Sequence, residues 1–179
     1  MHIESERLAI RPIVAEDSQA VFGYRSDKET NKYQGWIPDS LAEVDAFIAK
    51  NPGTFNLPES WFQLVMTDKI ANAVIGDIGV HFFGTEHLQV ELGCTIKKEF
   101  QQQGYAKEGL KTVIAALFRQ YHKHRITASV APENKASIQL LTSLGFRKEA
   151  HFVKSYFHNG QWEDDVVFAI LAEEWKQAE

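Results

Sequence analysis

Cysteine is almost absent from this chain: Cys94 stands alone among 179 residues. An intrachain disulfide is impossible, and a structural cysteine-rich zinc site is excluded. An excess of basic charge is also missing. Lys and Arg total 19 against 24 Asp and Glu, a formal net charge of −5. No basic stripe of the kind that tracks nucleic acid appears, so nucleic acid is not an expected partner. The mild acidity is compatible with a cationic substrate. No apolar run approaches the ~18 residues of a membrane-spanning helix, and Met1 to Arg7 holds no apolar stretch of signal-peptide length. Internal repeats, low-complexity tracts and linkers are lacking. The expectation is a soluble, cytoplasmic protein with residues 1–179 in one domain and no membrane partner.

What is present is an ordinary globular composition, 44% apolar and 24% charged, enough for a real core. Leu8 to Ile13 alternates as a strand. Glu16 to Tyr24 reads as a short helix. Ser40-Leu-Ala-Glu43 fits a capping box opening a second helix with Leu41, Val44, Phe47 and Ile48 on one face. Trp61–Thr67, Ala73–Phe82 and Leu88–Ile96 read as an antiparallel meander, with Gly76 and Gly79 marking a bulge or a close backbone approach. Ala106, Leu110, Val113, Ile114, Leu117, Phe118 and Tyr121 recur at helical spacing. Arg125–Ala131 is a strand, and a short helix with Ile138, Leu141 and Leu144 ends at Gly145. Phe146 to Trp175 reads as two long strands turning at His158-Asn-Gly160. The order β-α-α-β-β-β-α-β-α-β-β gives an α+β fold: a mostly antiparallel mixed sheet with one parallel crossover, flanked by helices.

One junction stands out. Phe100 to Leu110 leads from a strand through a polar turn into the strongest amphipathic helix. Such a turn aims unpaired backbone N–H groups at one point, and the helix dipole adds partial positive charge. The matching ligand is a phosphate or pyrophosphate. Gly104 and Gly109 have P-loop spacing, but Leu110 follows where Lys-Ser/Thr is required, and no G-x-G-x-x-G exists. Nucleoside triphosphates and dinucleotides are thereby disfavoured.

Gln101-Gln-Gln-Gly104-Tyr-Ala106 resembles the Gln/Arg-x-x-Gly-x-Gly/Ala signature of the GNAT N-acetyltransferases. Asn134-Lys-Ala-Ser137 and Leu144-Gly145-Phe146 are similar to the second half of that family's cofactor region. Glu6-Arg7-Leu8 and Arg11-Pro12 resemble the opening of its RimJ/RimL-like branch. The resemblance covers nearly all of the chain. It implies a GNAT fold with a central split between Leu88–Ile96 and Arg125–Ala131, in which acetyl-CoA lies. Its pyrophosphate would sit on the backbone N–H groups of Gln101, Gln102, Gln103, Gly104, Tyr105, Ala106 and Lys107, and its pantetheine arm along Cys94, Thr95 and Ile96. Gln102 departs from the pattern, standing where a second glycine is frequent.

The resemblance also implies an acceptor amine and direct transfer in a ternary complex. Glu91 takes the position of a carboxylate base; otherwise it is a solvated charge. Ser137 takes that of a proton donor to the leaving thiolate; otherwise it satisfies a local N–H. Asn134 suits both a pantetheine contact and a helix cap. Tyr33 and Trp36 fall in the segment that lines the acceptor site, and alternatively pack. His81 is an outside candidate for a second base. Cys94 reads as an apolar filler rather than a nucleophile. His122 and His124, two apart, do not share a ligand, and no metal is expected. The alternative reading is a non-catalytic acyl-CoA-binding protein of the same fold, and the oligomer is a monomer or a homodimer.

Overall fold

Alternating side chains on most strands leave the sheet with two apolar faces, and helices cover both. The computed structural model describes residues 1–84, 86–158 and 160–177. Its strands are β1 (Ile3–Glu4), β2 (Leu8–Pro12), β3 (Ser60–Asp68), β4 (Ala73–Phe83), β5 (Gln89–Ile96), β6 (Arg125–Val130), β7 (Arg147–His158) and β8 (Gln161–Leu171). The helices are α1 (Ser18–Arg25), α2 (Leu41–Ala49), α3 (Tyr105–Arg119), α4 (Lys135–Ser143) and α5 (Ala172–Gln177). The eight strands form one sheet in the order β1-β2-β3-β4-β5-β6-β8-β7. Every pairing is antiparallel except β5 with β6.

On one face, Leu8, Leu64, Met66, Ile78, Val90 and Ile126 pack against Leu110, Val113, Ile114 and Leu117 of α3. Burying each such side chain contributes about 1.5–3 kcal/mol, which fixes α3 on the sheet. Gly109 brings the helix close: a Cβ there would stand 2.5 Å from Met66 Sδ. On the other face, Val21 and Tyr24 of α1 and Val44 and Ile48 of α2 pack over Ile13 and Val65. The odd-numbered side chains of β5, Glu91 and Thr95, belong to this second face, since Val90 and Leu92 point to α3 and strand side chains alternate.

The expected elements are present with three differences. Ile3–Glu4 is an extra strand, too short to show in a pattern, paired to β2. The stretch ending at Trp175 is not strand throughout: Ala172–Gln177 is helix, and Glu174 Oε2 accepts from Leu171 N at 2.7 Å. The Ser40 capping box is half formed. Ser40 Oγ accepts from Glu43 N at 3.3 Å, but the Glu43 carboxylate turns to Asp39 N. Asn159, at the centre of the expected hairpin turn, lies outside the described residues, and the strands it joins pair from His158↔Gln161 inward.

The glycines of β4 supply both features expected of them. The register slips between Met66 and Thr67 so that Ile75 has no partner, a bulge beside Gly76. Gly76 also lies tight against β5, where a Cβ would come within 2.3 Å of Thr95 O.

Candidate active site

The parallel pairing of β5 and β6 covers three residue pairs, Gln89↔Arg125, Val90↔Ile126 and Glu91↔Thr127. Beyond them β5 stays with β4 as far as Ile96, while β6 stays with β8 as far as Val130. The strands part, and the backbone from Leu92 to Ile96 loses its partner on that side. A cleft of about 1000 Å³ occupies the parting, bounded by β5, β6, α4, the start of α3 and residues 30–35.

The N-terminus of α3 forms one end of this cleft. A tight turn over Lys98–Phe100 and a fixed link, Gln101 Nε2 to Ile96 O at 2.9 Å, tie the loop to β5. Gln102 takes φ +59° and Gly104 φ +83°. Gly104 adopts the left-handed region at no steric cost, whereas Gln102 pays about 1 kcal/mol for it. The helix begins at Tyr105, so its first N–H groups lack helical carbonyls and carry the dipole's positive end. Gln101, Gln102, Gly104, Tyr105, Ala106 and Lys107 all line the cleft. Gln103 does not; its side chain donates to Glu99 O at 2.7 Å and its carbonyl accepts from Arg7. The loop therefore suits a pyrophosphate through backbone N–H groups and a bare Gly104, and acetyl-CoA fits this end on those grounds.

Arg7, to which the sequence assigns no role, braces the start of α3. Its guanidinium donates to Glu108 Oε2 at 2.6 Å and to Gln103 O at 3.1 Å, and lies 4.1 Å from the Tyr105 ring centre. Arg7 N and Ser5 Oγ also donate to Glu108 Oε1, at 2.8 and 2.7 Å. Burial opposes the Glu108 charge, but these donors together hold its carboxyl below the usual range. Tyr105 OH donates to Asp68 Oδ2 at 3.0 Å. The turn between β1 and β2 thus clamps the outer side of the loop that opens α3. The Glu6-Arg7-Leu8 motif was the available signal, but the partner is 101 residues away.

Cys94, Thr95 and Ile96 line the cleft along β5. Burial, and then the Asp77 charge, push the Cys94 thiol up to about 12, so no thiolate nucleophile exists there at neutral pH. Thr95 is 4% exposed, and its hydroxyl has no partner among the described residues. Gln34 Nε2 reaches the Cys94 carbonyl at 3.4 Å, so the 30–35 loop crosses over this strand. Asn31, buried, fixes that loop by donating to Tyr24 O at 2.7 Å and Asp27 O at 2.9 Å. Beneath it, Asp77 accepts from Arg25 Nε at 2.8 Å, Tyr24 OH at 2.5 Å and Gln63 Nε2 at 2.6 Å. Burial works against the Arg25 charge, yet Asp77 more than offsets it and raises the guanidinium pKa. Burial and Asp77 also drive the Tyr24 hydroxyl well above its usual value. This fully paired cluster pins α1 to β4 under the cleft.

Across the cleft, Asn134 Oδ1 accepts from Ser137 N at 3.2 Å, capping α4, while both side chains line the cavity. Tyr33 also lines it. Trp36 does not; it stacks on Phe47 of α2 at 4.4 Å. Glu91 stands at the closed end of the parting, on the α1/α2 face. It is half-buried, with Oε2 3.5 Å from His81 Nδ1, and is not among the cleft-lining residues. His81 stacks flat on Trp61 at 4.4 Å. Among the described residues no group of three or more His, Cys, Asp or Glu could hold a metal ion, and no helix is long and apolar enough to cross a membrane.

A mixed sheet that splits beside a helix N-terminus, with an unpaired strand backbone facing the split, defines an acyl-CoA-dependent acyltransferase architecture. The acetyltransferase (GNAT) domain family matches residues 7–147, and the chain belongs to this family of N-acetyltransferases. It is 34% identical over 178 residues to an uncharacterized N-acetyltransferase, YnaD, of Bacillus subtilis (strain 168), covering 98% of this chain and 99% of that one. It is 38% identical over 84 residues to the ribosomal protein uS5-alanine N-acetyltransferase of Escherichia coli (strain K12), covering 47% and 43% of the two. Its fold superposes on a GNAT-family acetyltransferase from Bacillus anthracis with a TM-score of 0.87 at 29% identity, covering 97% and 99%.

Proposed function

We propose that this enzyme transfers the acetyl group of acetyl-CoA directly to a primary amine, on a protein N-terminus or a small molecule, within a ternary complex. The observation that carries this reading is the parting of β5 from β6 just beyond Glu91, with the α3 N-terminus at one end of the gap. Acetyl-CoA supplies the activated acyl group as a thioester. The residues of this chain do the rest. The backbone of Gln101 to Lys107 binds the pyrophosphate and that of Cys94 to Ile96 the pantetheine arm, aligning the reactants. Glu91, at the closed end, takes a proton from the acceptor ammonium, directly or through water, and frees its lone pair. As the new N–C bond forms, the C–S bond breaks; the Ser137 hydroxyl gives its proton to the departing sulfur, and the proton shed by the acylated nitrogen restores the hydroxyl. Tyr33 borders the acceptor's entry. The half-buried setting of Glu91 beside His81 supports a role beyond a solvated charge.

An acceptor screen that follows release of free CoA tests this, covering N-terminal peptides, polyamines, amino acids and aminoglycosides. Glu91→Gln and Ser137→Ala run beside the parent protein. At least one acceptor turns over, and both variants are slowed by about 100-fold or more. Full turnover by both variants removes the assigned roles while leaving the activity. Acetyl-CoA at 100 times its Kd adds about 2.7 kcal/mol of stability; no thermal shift would sink the reading altogether.

A further inference from the structure

Resting on this transferase reading, we infer that Asp165, held by Ser129 on the lip of the split opposite β5, is an acceptor-binding residue that captures the incoming amine as its ammonium ion. The sheet register places the residues. Glu91 pairs with Thr127 where the parallel ladder ends. Paired side chains share a face, so Thr127 and Ser129, two residues on, point to the same side as Glu91. Ser129 lines the cleft, and its hydroxyl lies 2.6 and 2.5 Å from the two Asp165 oxygens. On the facing lip, Gly93 leaves open space, since a Cβ there meets nothing within 4 Å. Next to it on the same face, the buried Thr95 hydroxyl lines the cleft without a partner.

Charge decides what this gap takes. Most cations around the β7–β8 hairpin are committed to other carboxylates, and Lys148, paired in register with Phe168 of the α3-side core, belongs to the opposite face from Asp165. Arg125 pairs with Glu149, Arg147 with Glu149 and Glu174, His151 and Lys154 with Asp164, and His158 with Glu163. Among the described residues Asp165 has only the neutral Ser129 hydroxyl. Asp165 is not itself a cleft-lining residue but stands directly behind Ser129, which is, and a carboxylate there with no neighbouring cation attracts one. The gap is roofed on the same face, where Tyr156 OH would lie 3.0 Å from a Cβ on Gly35. Asp165 captures the ammonium ion at the lip, and Glu91, at the closed end, takes its proton as the amine moves inward.

The test is Asp165→Asn, with Ser129→Ala as a milder second variant and acetyl-CoA-induced thermal stabilisation as the control for an intact fold. Steady-state kinetics use an alanine-initiated peptide and 1,4-diaminobutane. Asp165→Asn raises the acceptor KM by about tenfold or more, the size of a lost charge-assisted hydrogen bond, while the KM for acetyl-CoA stays within about twofold. Added salt raises the acceptor KM of the parent protein and not that of the variant. An unchanged acceptor KM, or an equal rise for both substrates, overturns the inference. If no acceptor is turned over, the transferase reading fails on its own. Calorimetry of n-butylammonium against n-butanol on the CoA-saturated protein then decides: ammonium-selective binding lost in Asp165→Asn supports the site, and absent or unchanged binding overturns it.

Discussion

Gly76→Ala should cost this protein both stability and its grip on the acyl donor. A Cβ at Gly76 would stand 2.3 Å from Thr95 O, 3.0 Å from Ile96 Cδ1 and 3.1 Å from Ile96 Cα. The first contact is about 1 Å short of an ordinary C···O approach. The obstacle is backbone, so no side-chain rotation relieves it. Either β5 moves off β4 near Ile96, or the Ile75 bulge reshapes. Overpacking of this kind costs about 1–3 kcal/mol; a backbone obstacle puts Gly76→Ala near the top, at about 3 kcal/mol. For a chain of this size that lowers Tm by about 6–12 °C. The displaced segment is the one lining the cleft, so the KM for acetyl-CoA should rise with it. Gly23→Ala is the control: exposed in α1, with nothing within 4 Å of its Cβ, it should stabilise by up to about 1 kcal/mol through helix propensity. Differential scanning calorimetry with and without acetyl-CoA reads both. A Gly76→Ala protein melting within about 2 °C of the parent, with unaltered acetyl-CoA KM, would refute the close-approach argument.

Gly93→Ala, on the same β5 but with open space above it, should leave Tm and acetyl-CoA KM nearly unchanged while raising the acceptor KM. Equal effects on both substrates would show that Gly93 does not border the acceptor. Cys94→Ala should retain activity within about threefold, because a thiol pushed up to about 12 supplies no thiolate; loss of an acyl-enzyme adduct in trapping experiments would contradict this. Glu108→Gln should destabilise the protein at neutral pH. The folded-state pKa of Glu108 is depressed, so its contribution is full above the unfolded value near 4.3 and is lost as pH falls through the folded value. The gap in Tm between parent and variant should therefore close below about pH 4, and a gap independent of pH would argue against the Arg7–Glu108 pair. Arg7→Ala should raise the acetyl-CoA KM several-fold with kcat at saturation little changed, since Arg7 touches the loop's outer side and not the cleft.

Local signals carried much of this protein. The 3.6-residue period from Ala106 to Tyr121, Gly104 at the strand-to-helix turn and Gly145 closing α4 are each settled by nearest-neighbour backbone chemistry, and all three are readable without coordinates. So was the cluster of unpaired N–H groups on that turn, because it is built from consecutive residues on one loop. What spacing in sequence did not convey was which distant groups meet. Ala172 to Trp175 reads as the end of the last strand because it follows β8 without a break, whereas in the fold it is helix, with Trp175 packed against Phe118 at 6.2 Å. Trp36 and Tyr33 looked alike in a polar loop, yet packing sends one onto Phe47 and the other into the cleft. Arg7 with Glu108, Arg25 with Asp77 and Ser129 with Asp165 are partners 101, 52 and 36 residues apart. Pairings of that range follow from sheet register and from which cations are already neutralised. The sequence by itself determined the strand-to-helix turn at Gln101 to Lys107 and the helix it opens. The tertiary structure decided what clamps it, where the strands part, and which charges face the gap.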